Sequence, residues 1–373
     1  MKILYLANHL NAGGITSYIL NLSCGLKARG HDVFIASSGG ELLPKFNNSR
    51  IEHFYIPIKT KNELSPKIIL SAFKLAKLIK KNEIDILHSH SRTTQVLGCL
   101  LHRLTGIKHI FTCHGFFKRR FSRKIFPCWG DKVIAVSGQV GEHLIRDFQV
   151  SPDKIAVVCN GIDTDRFNQS SAAQRQEFKL RLGLKLRPVV GILARLSDVK
   201  GHKYLIEAMK SVLLTYPDTQ LLIAGEGRME AKLKRLTEDL GIKESVFFVP
   251  NTLDTKEILC AIDIFVLPSL KEGLGLALME AMSMGLAVVG SDVGGIKTLI
   301  KDGDNGFLVN PGDSDGIAQA IINLISDPSR AFGLGVKARK YISEGFSQEK
   351  MVLETEKTYL ECLRRKENDR KRK

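Results

Sequence analysis

The sequence predicts an α/β protein made of two parallel-sheet domains, on three observations. Its 373 residues, 44% of them hydrophobic and 25% charged, suffice for two separate cores. Short apolar runs alternate with helical stretches along the chain, as expected of parallel strands buried on both faces by crossover helices. The runs fall into two series, separated by the turn Asn160-Gly161-Ile162-Asp163 and the polar stretch Asn168 to Gln176, which reads as a linker.

Each element follows from local chemistry. Met1 to Ala7 is an apolar run cut short by Asn8, His9 and Asn11, so it reads as a first strand, Ile3 to Ala7, and not as a leader segment. The segment Asn11-Ala12-Gly13-Gly14-Ile15 then turns the chain into a helix from Thr16 onward. Val33 to Ala36, Ile84 to His88, His109 to Cys113 and Lys132 to Val136 continue the first series of strands. Between them, Ser65 to Asn82 reads as an amphipathic helix, with Ile68, Leu75, Leu78 and Ile79 on one face and Lys67, Lys74, Lys77 and Lys81 on the other. The second series comprises Val189 to Leu193, Gln220 to Ala224, Val246 to Val249, Ile264 to Leu267 and Ala287 to Gly290. Leu276 to Met284 is a helix closed by Gly285. The domains predicted are therefore 1–167 and 177–347, with an interdomain cleft. A last helix, 348–365, comes too late to complete a second-domain unit and is expected to pack back on the first domain, ahead of a frayed basic tail.

The formal net charge of +16 is unevenly placed. Residues 1–170 carry 24 Lys and Arg against 12 Asp and Glu, residues 171–363 carry 24 against 25, and residues 364–373 carry 7 against 2. The positive excess belongs to the first domain and the tail, which points to an anionic partner there. Two clusters stand out: the lysine face of Lys67, Lys74, Lys77 and Lys81, and the loop Phe116-Phe117-Lys118-Arg119-Arg120-Phe121-Ser122-Arg123-Lys124. Their mixture of charge and aromatics suits an anionic membrane surface or a lipid-linked acceptor, and a solvated helix and loop is the competing reading. No nucleic-acid motif accompanies them, so nucleic acid is not expected. No run of about eighteen apolar residues predicts a membrane span. The seven cysteines are scattered, without the paired spacing of a zinc site or a disulfide framework, which fits a reducing cytoplasm. Peripheral attachment to the inner face of the cell membrane is a further expectation.

The most informative segment runs from Pro268 to Ser283. It sets Glu272 at a strand end and Glu280 about two turns into a helix, eight positions on. The amides of Gly273, Leu274, Gly275 and Leu276 lie between them at the positive end of the helix dipole, a natural phosphate site. One carboxylate could accept from sugar hydroxyls and the other from ribose, so the pattern points to a sugar nucleotide. Leu276, Ala277, Leu278, Met279, Ala281 and Met282 make the helix apolar nearly all round, so Glu280 is expected to be partly buried and to need donors. An acidic loop with a solvated Glu is the plainer alternative.

Arg195 and Lys200, just past the strand Val189 to Leu193, would stabilise a departing diphosphate without a metal. A solvated basic loop is equally compatible with that spacing. Gly13 and Gly14 allow backbone amides to approach a phosphate, although a glycine pair is also a common tight turn. His114 closes a first-domain strand, where a purely structural histidine is the competing reading. His88 and His90 share a strand face, as alternate strand residues do whatever their job, and no metal is expected.

Gly13-Gly14, His114, Asn160-Gly161-Ile162-Asp163, Arg195 with Lys200, Glu272 through Glu280 and Asp292-Val293-Gly294-Gly295 follow one another in a familiar order. Over nearly its whole length the chain resembles the retaining glycosyltransferases of family 4, most specifically in the Glu-x7-Glu spacing of Glu272 and Glu280. The resemblance implies the GT-B fold of two facing Rossmann-like domains. It also implies that Glu272 contacts the donor sugar, with the loop Gly273 to Leu276 beside it, and that Glu280 contacts the ribose. Arg195 and Lys200 would hold the diphosphate, Gly13 and Gly14 would close over the phosphates, and His114 would sit beside the sugar at the reacting centre. Leu274 stands where many members carry an aromatic, a departure at the donor-sugar contact. The implied activity is transfer of a hexosyl group from a UDP-sugar, or with less support a GDP-sugar, to a saccharide or lipid-linked acceptor in envelope polysaccharide synthesis. It would proceed with retention, a front-face displacement, no metal and no cofactor. Contacts to the base could come from backbone groups near Pro250 and Asn251. A sugar-nucleotide epimerase, a phosphorylase of the same architecture and a noncatalytic nucleotide or nucleic-acid binder remain as alternatives.

Overall fold

A computed structural model describes the chain apart from residues 59, 61–64, 120–122, 124, 251–253 and 372–373, and apart from the side chains of 365–371. The chain forms two compact units, one of Met1–Gly161 with Gln348–Lys373 and the other of Ile162–Ser347.

The first unit is built on strands β1 (Lys2–Leu6), β2 (Asp32–Ser37), β3 (Glu52–Tyr55), β4 (Ile86–Ser89), β5 (Lys108–Cys113), β6 (Lys132–Ala135) and β7 (Ile155–Val157). They pair in parallel in the order β3-β2-β1-β4-β5-β6-β7. The chain winds outward in one direction from β1 and in the other from β4, so the topological switch point lies between these two strands, where Leu6 faces Ser89. Alternation along β1 explains its uninterrupted apolar sequence. Ile3 and Tyr5 enter one core with Tyr18, Leu22 and Tyr359, while Leu4 and Leu6 enter another with Leu75, Leu87 and Leu97.

The second unit carries β8 (Val189–Leu193), β9 (Gln220–Ala224), β10 (Val246–Val249), β11 (Ile264–Leu267), β12 (Ala287–Ser291) and β13 (Phe307–Val309), again all parallel, in the order β10-β9-β8-β11-β12-β13. Its switch point lies between β8 and β11, where Val190 faces Ile264. Val190, Ile192, Leu221, Ile223, Val266 and Val289 form the floor of its core under the helices His202–Thr215 and Ser314–Ser326.

Three strands were not anticipated: β3, β7 and β13 each lie at a sheet edge and keep partly exposed side chains. An edge strand is covered on fewer sides and needs no continuous apolar run, so its periodic signal is weak. The stretch expected to be a linker is half helical. Ser171 caps the helix Ala172–Arg181 through a reciprocal pair with Gln174, and Arg175 and Lys179 both bind Asp263, at 2.5 and 2.7 Å. The break between units falls earlier, at Gly161 and Ile162. Ile162 donates its N–H to Phe346 O, and Ser283 Oγ donates to Phe167 O, which ties this segment into the second unit.

The helix Gln348–Lys371 belongs to the first unit. Its Tyr359 hydroxyl meets Tyr5 at 3.0 Å and His88 Nδ1 at 2.6 Å, and Glu356 pairs with Arg29 and His31.

Candidate active site

The second-unit residues gather on three loops that follow β8, β11 and β12, at and beside the switch point. The loops meet backbone to backbone. Gly201, at φ +72°, would drive a Cβ to within 1.8 Å of Pro268 O, and a Cβ on Gly295 would lie 2.1 Å from Gly273 O. Gly295 N–H also donates to Glu272 O at 3.1 Å. This contact brings Lys200 and Glu272 together: Nζ lies 2.5 Å from Oε2, and Ser269 Oγ donates to the same oxygen at 3.2 Å. Both side chains are largely buried, at 23% and 12% exposure, so the pair is not an ordinary surface bridge. Arg195, on the loop after β8, is exposed, and its guanidinium makes no hydrogen bond or ion pair among the described residues. It is a cation without an internal partner beside one that has one.

Gly275, at φ +97°, introduces the helix Leu276–Ser283, whose first-turn amides have no partner within the helix. The Leu274 side chain is buried, so this residue has only its backbone to offer a ligand. Glu280 lies further along and is partly buried. Burial pushes its pKa up to about 7, opposed by a hydrogen bond with Thr255 and the charge of Arg166 and reinforced by Asp254. Arg166 and Asp254 pair at 3.0 Å, and Asp254 caps the helix Thr255–Cys260. Arg166, Asp254, Thr255 and Ser269 are the neighbours that sequence reasoning missed. A helix N-cap pattern, Asp254 with Glu257 three residues on, could have drawn attention to Asp254, but it says nothing about Glu280.

In the first unit, Gly13 and Gly14 follow β1 and are exposed at the start of the helix Gly14–Ala28, which begins two residues earlier than expected. Gly13 has φ +156° and open space where a Cβ would stand. His114 follows β5. Tyr18, one turn into the glycine-led helix, packs edge-on against the His114 ring at 4.8 Å and 81°, so the glycine turn and the histidine share one neighbourhood. His114 Nε2 is 3.1 Å from His90 Nδ1. Desolvation lowers the His114 pKa to about 3, so the ring is neutral. His88 spends both nitrogens on Tyr359 and Thr112, at 2.6 Å each. Among the described residues, no cluster of three or more His, Cys, Asp or Glu could hold a metal ion.

Lys67, Lys74, Lys77 and Lys81 are all exposed on the helix Pro66–Lys81. The same outward face exposes Ile69, Leu70 and Phe73, which sequence reasoning had not singled out. Lys118 and Arg119 are exposed, with Arg119 paired to Asp147 at 2.5 Å, and Arg120 lies outside the described residues, as does Asn251. Among the described residues, no helix is long and apolar enough to cross a membrane.

Residues 12–166 match the family described as Glycosyltransferase Family 4, and residues 174–344 match Glycosyl transferases group 1. The chain is 31% identical over 88% of its length, and 88% of the relative's, to the UDP-Gal:alpha-D-GlcNAc-diphosphoundecaprenol alpha-1,3-galactosyltransferase of Escherichia coli. A glycosyltransferase from Rickettsia africae superposes with a TM-score of 0.85 at 25% identity, covering 97% of this chain and 98% of that one. The fold is shared with the Anabaena protein HepE, solved in complex with UDP-glucose, at a TM-score of 0.86 and 22% identity over 96% of this chain and 99% of that one. With two Rossmann-like sheets, a carboxylate pair beside the second switch point and both family matches, the chain belongs to the group 1, family 4 glycosyltransferases and has the GT-B fold.

Proposed function

We propose that this glycosyltransferase moves a hexosyl group, with retention and without a metal, from a UDP-sugar to a saccharide or lipid-linked acceptor in envelope polysaccharide synthesis. The observation that carries the proposal is the largely buried Lys200–Glu272 pair beside the β8/β11 switch point. Such a pair is poised for exchange. A diphosphate arriving beside Arg195 competes for Lys200, and Glu272 is then released to accept hydrogen bonds from the sugar hydroxyls. Glu280 accepts from the ribose, and the loop amides of Gly273 to Leu276 with the first-turn dipole favour the phosphate charge. The roles proposed for His114 and for Gly13 and Gly14 are contact with the reacting sugar and with the phosphates. In the reaction the anomeric carbon–oxygen bond to the diphosphate breaks, its electron pair stays on the diphosphate, and the acceptor oxygen bonds to the same face of that carbon. The acceptor proton passes to the departing phosphate, so no dedicated protein base is needed. The E. coli relative, named for UDP-galactose and a diphosphoundecaprenol-linked acceptor, supports both the UDP donor and the lipid-linked acceptor. We also propose that the exposed face of Pro66–Lys81, where Ile69, Leu70 and Phe73 stand among the lysines, rests on an anionic lipid surface.

Nucleotide release from a panel of UDP-, GDP- and ADP-sugars, without acceptor and then with lipid extracts, tests the donor and the acceptor class. Release confined to UDP-sugars, unaffected by EDTA and stimulated by the extracts, with an α-product from an α-donor, is expected. Inversion, a metal requirement or preference for another base would overturn the corresponding part.

A further inference from the structure

His90 has no role in the chemistry described so far, yet it is wholly buried and placed with care. It follows β4 directly, and its backbone N–H donates to Thr94 Oγ1 at 3.2 Å. Its ring is enclosed by those of His88, Tyr5, Tyr18 and His114, with centroids at 4.2, 5.5, 5.6 and 5.4 Å. One nitrogen, Nδ1, reaches His114 Nε2 at 3.1 Å. The other, Nε2, is buried with no hydrogen-bond partner.

We infer that His90 is a positioning residue, which donates from Nδ1 to Nε2 of His114 and so holds the His114 ring as the Nδ1–H tautomer, with that N–H offered to an oxygen of the bound sugar. The inference rests on the proposed station of His114 at the reacting centre and adds the direction of its hydrogen bond. Burial keeps both rings neutral, so each carries a single ring proton. Were the His90 proton on Nε2, a buried donor would be stranded without an acceptor, whereas a bare lone pair at that nitrogen is the cheaper defect. The proton therefore sits on Nδ1, where an acceptor waits. His114 Nε2 must then be the acceptor, which leaves the His114 proton on Nδ1, a nitrogen with no hydrogen bond among the described residues. Tyr18, edge-on to the same ring, opposes its rotation.

Long-range nitrogen–proton spectra of the histidine-labelled full chain read tautomers directly, with His114→Ala assigning the signal. The expected result is an Nδ1–H His114 in the unliganded protein, retained in His90→Asn, whose side-chain amide nitrogen can occupy the Nδ1 position. In His90→Leu and His90→Gln the signal should shift toward the other tautomer. Turnover of the UDP-sugar that is cleaved fastest should fall on the order of tenfold in His90→Leu and His90→Gln, with donor KM unchanged, and recover in His90→Asn. An Nε2–H His114 in the wild-type protein overturns the inference, and that spectrum decides the matter even if a variant fails to fold. Full turnover in His90→Leu alongside a defective His114→Ala also overturns it, while leaving His114 at the reacting centre. If His114→Ala itself keeps full turnover, the proposed station of His114 is what fails.

Discussion

Glu280 joins the energetic cost of a buried carboxylate to its proposed contact with the ribose. Its folded pKa of about 7 exceeds the ordinary value of 4.5, so the folded protein holds a proton that the unfolded chain releases. The sign follows: stability is greatest below about 4.5 and is lost as pH rises through 7, by roughly 3 kcal/mol in the limit of full burial. Glu280→Gln is therefore expected to raise the melting temperature of the ligand-free protein at pH 8 and to leave it nearly unchanged at pH 5. The ionised carboxylate accepts from hydroxyls with both oxygens and more strongly than the protonated acid, so UDP should bind more tightly as pH rises from 6 to 8, beyond what the nucleotide's own titration contributes. Calorimetry on Glu280→Gln at both pH values isolates that difference. A variant with the same pH slope as wild type would remove Glu280 from the ribose site. The sequence announced the carboxylate through its spacing from Glu272, but the residues that tune it, Thr255, Arg166 and Asp254, come from segments with no shared pattern, so their convergence was not legible.

The loops beyond β8, β11 and β12 work as one element because glycines let their backbones touch. Gly295→Ala would force a Cβ to 2.1 Å from Gly273 O, and Gly201→Ala adds a left-handed φ to a 1.8 Å clash with Pro268 O. Neither neighbour is a flexible side-chain end, so the loops must part. Each variant should cost about 1–3 kcal/mol and weaken UDP binding by tenfold or more by separating Lys200 from Glu272. Isothermal titration with UDP checks this, and wild-type affinity in both would show that the interlock does not build the site. The helix Pro66–Lys81 is a second case in which element geometry adds to the sequence. Its lysines were legible by period, but whether Ile69, Leu70 and Phe73 faced the core or water depended on packing that only the sheet defines. Flotation with vesicles containing anionic phosphatidylglycerol should recover the protein, and Ile69→Ser with Phe73→Ser should abolish recovery at unchanged net charge. Neutralising Lys74, Lys77 and Lys81 should reduce it in proportion to lipid charge. Equal flotation of wild type and the serine variant would leave the apolar residues without that role.

The chain passes between its two units twice, at Gly161–Ile162 and at Ser347–Gln348, so sequence order and structural membership part company at the end. The central strands were legible because β1, β4, β8 and β11 are apolar runs with both faces buried. Three of the four edge strands, β3, β7 and β13, were not, since half-covered backbone leaves little trace in composition, whereas the edge strand β10 kept a readable apolar run, Val246–Val249. The return of the last helix was legible only as a surplus: Gln348 onward had no strand left to cover in the second series. What it supplies is concrete. Met351, Val352, Tyr359 and Cys362 are buried in the first unit's core, and Tyr359 satisfies both Tyr5 and His88. Removing them exposes apolar area worth about 1.5–3 kcal/mol for each large side chain and strands two buried polar groups at about 1–3 kcal/mol each. That sum rivals the whole stability of a domain, about 5–15 kcal/mol, so the first unit should not survive deletion of residues 348–373. Trp129, the single tryptophan, reports on this unit alone, packed 5.5 Å from Phe148 and 6.1 Å from Phe111. The truncated chain should show solvent-exposed Trp129 fluorescence and no cooperative urea transition by that probe. The fragment 162–347, which keeps its own core, should remain folded by circular dichroism and retain UDP binding. A truncated chain with native Trp129 emission and an unchanged urea midpoint would show that the helix is a passenger on the first unit and not part of its core.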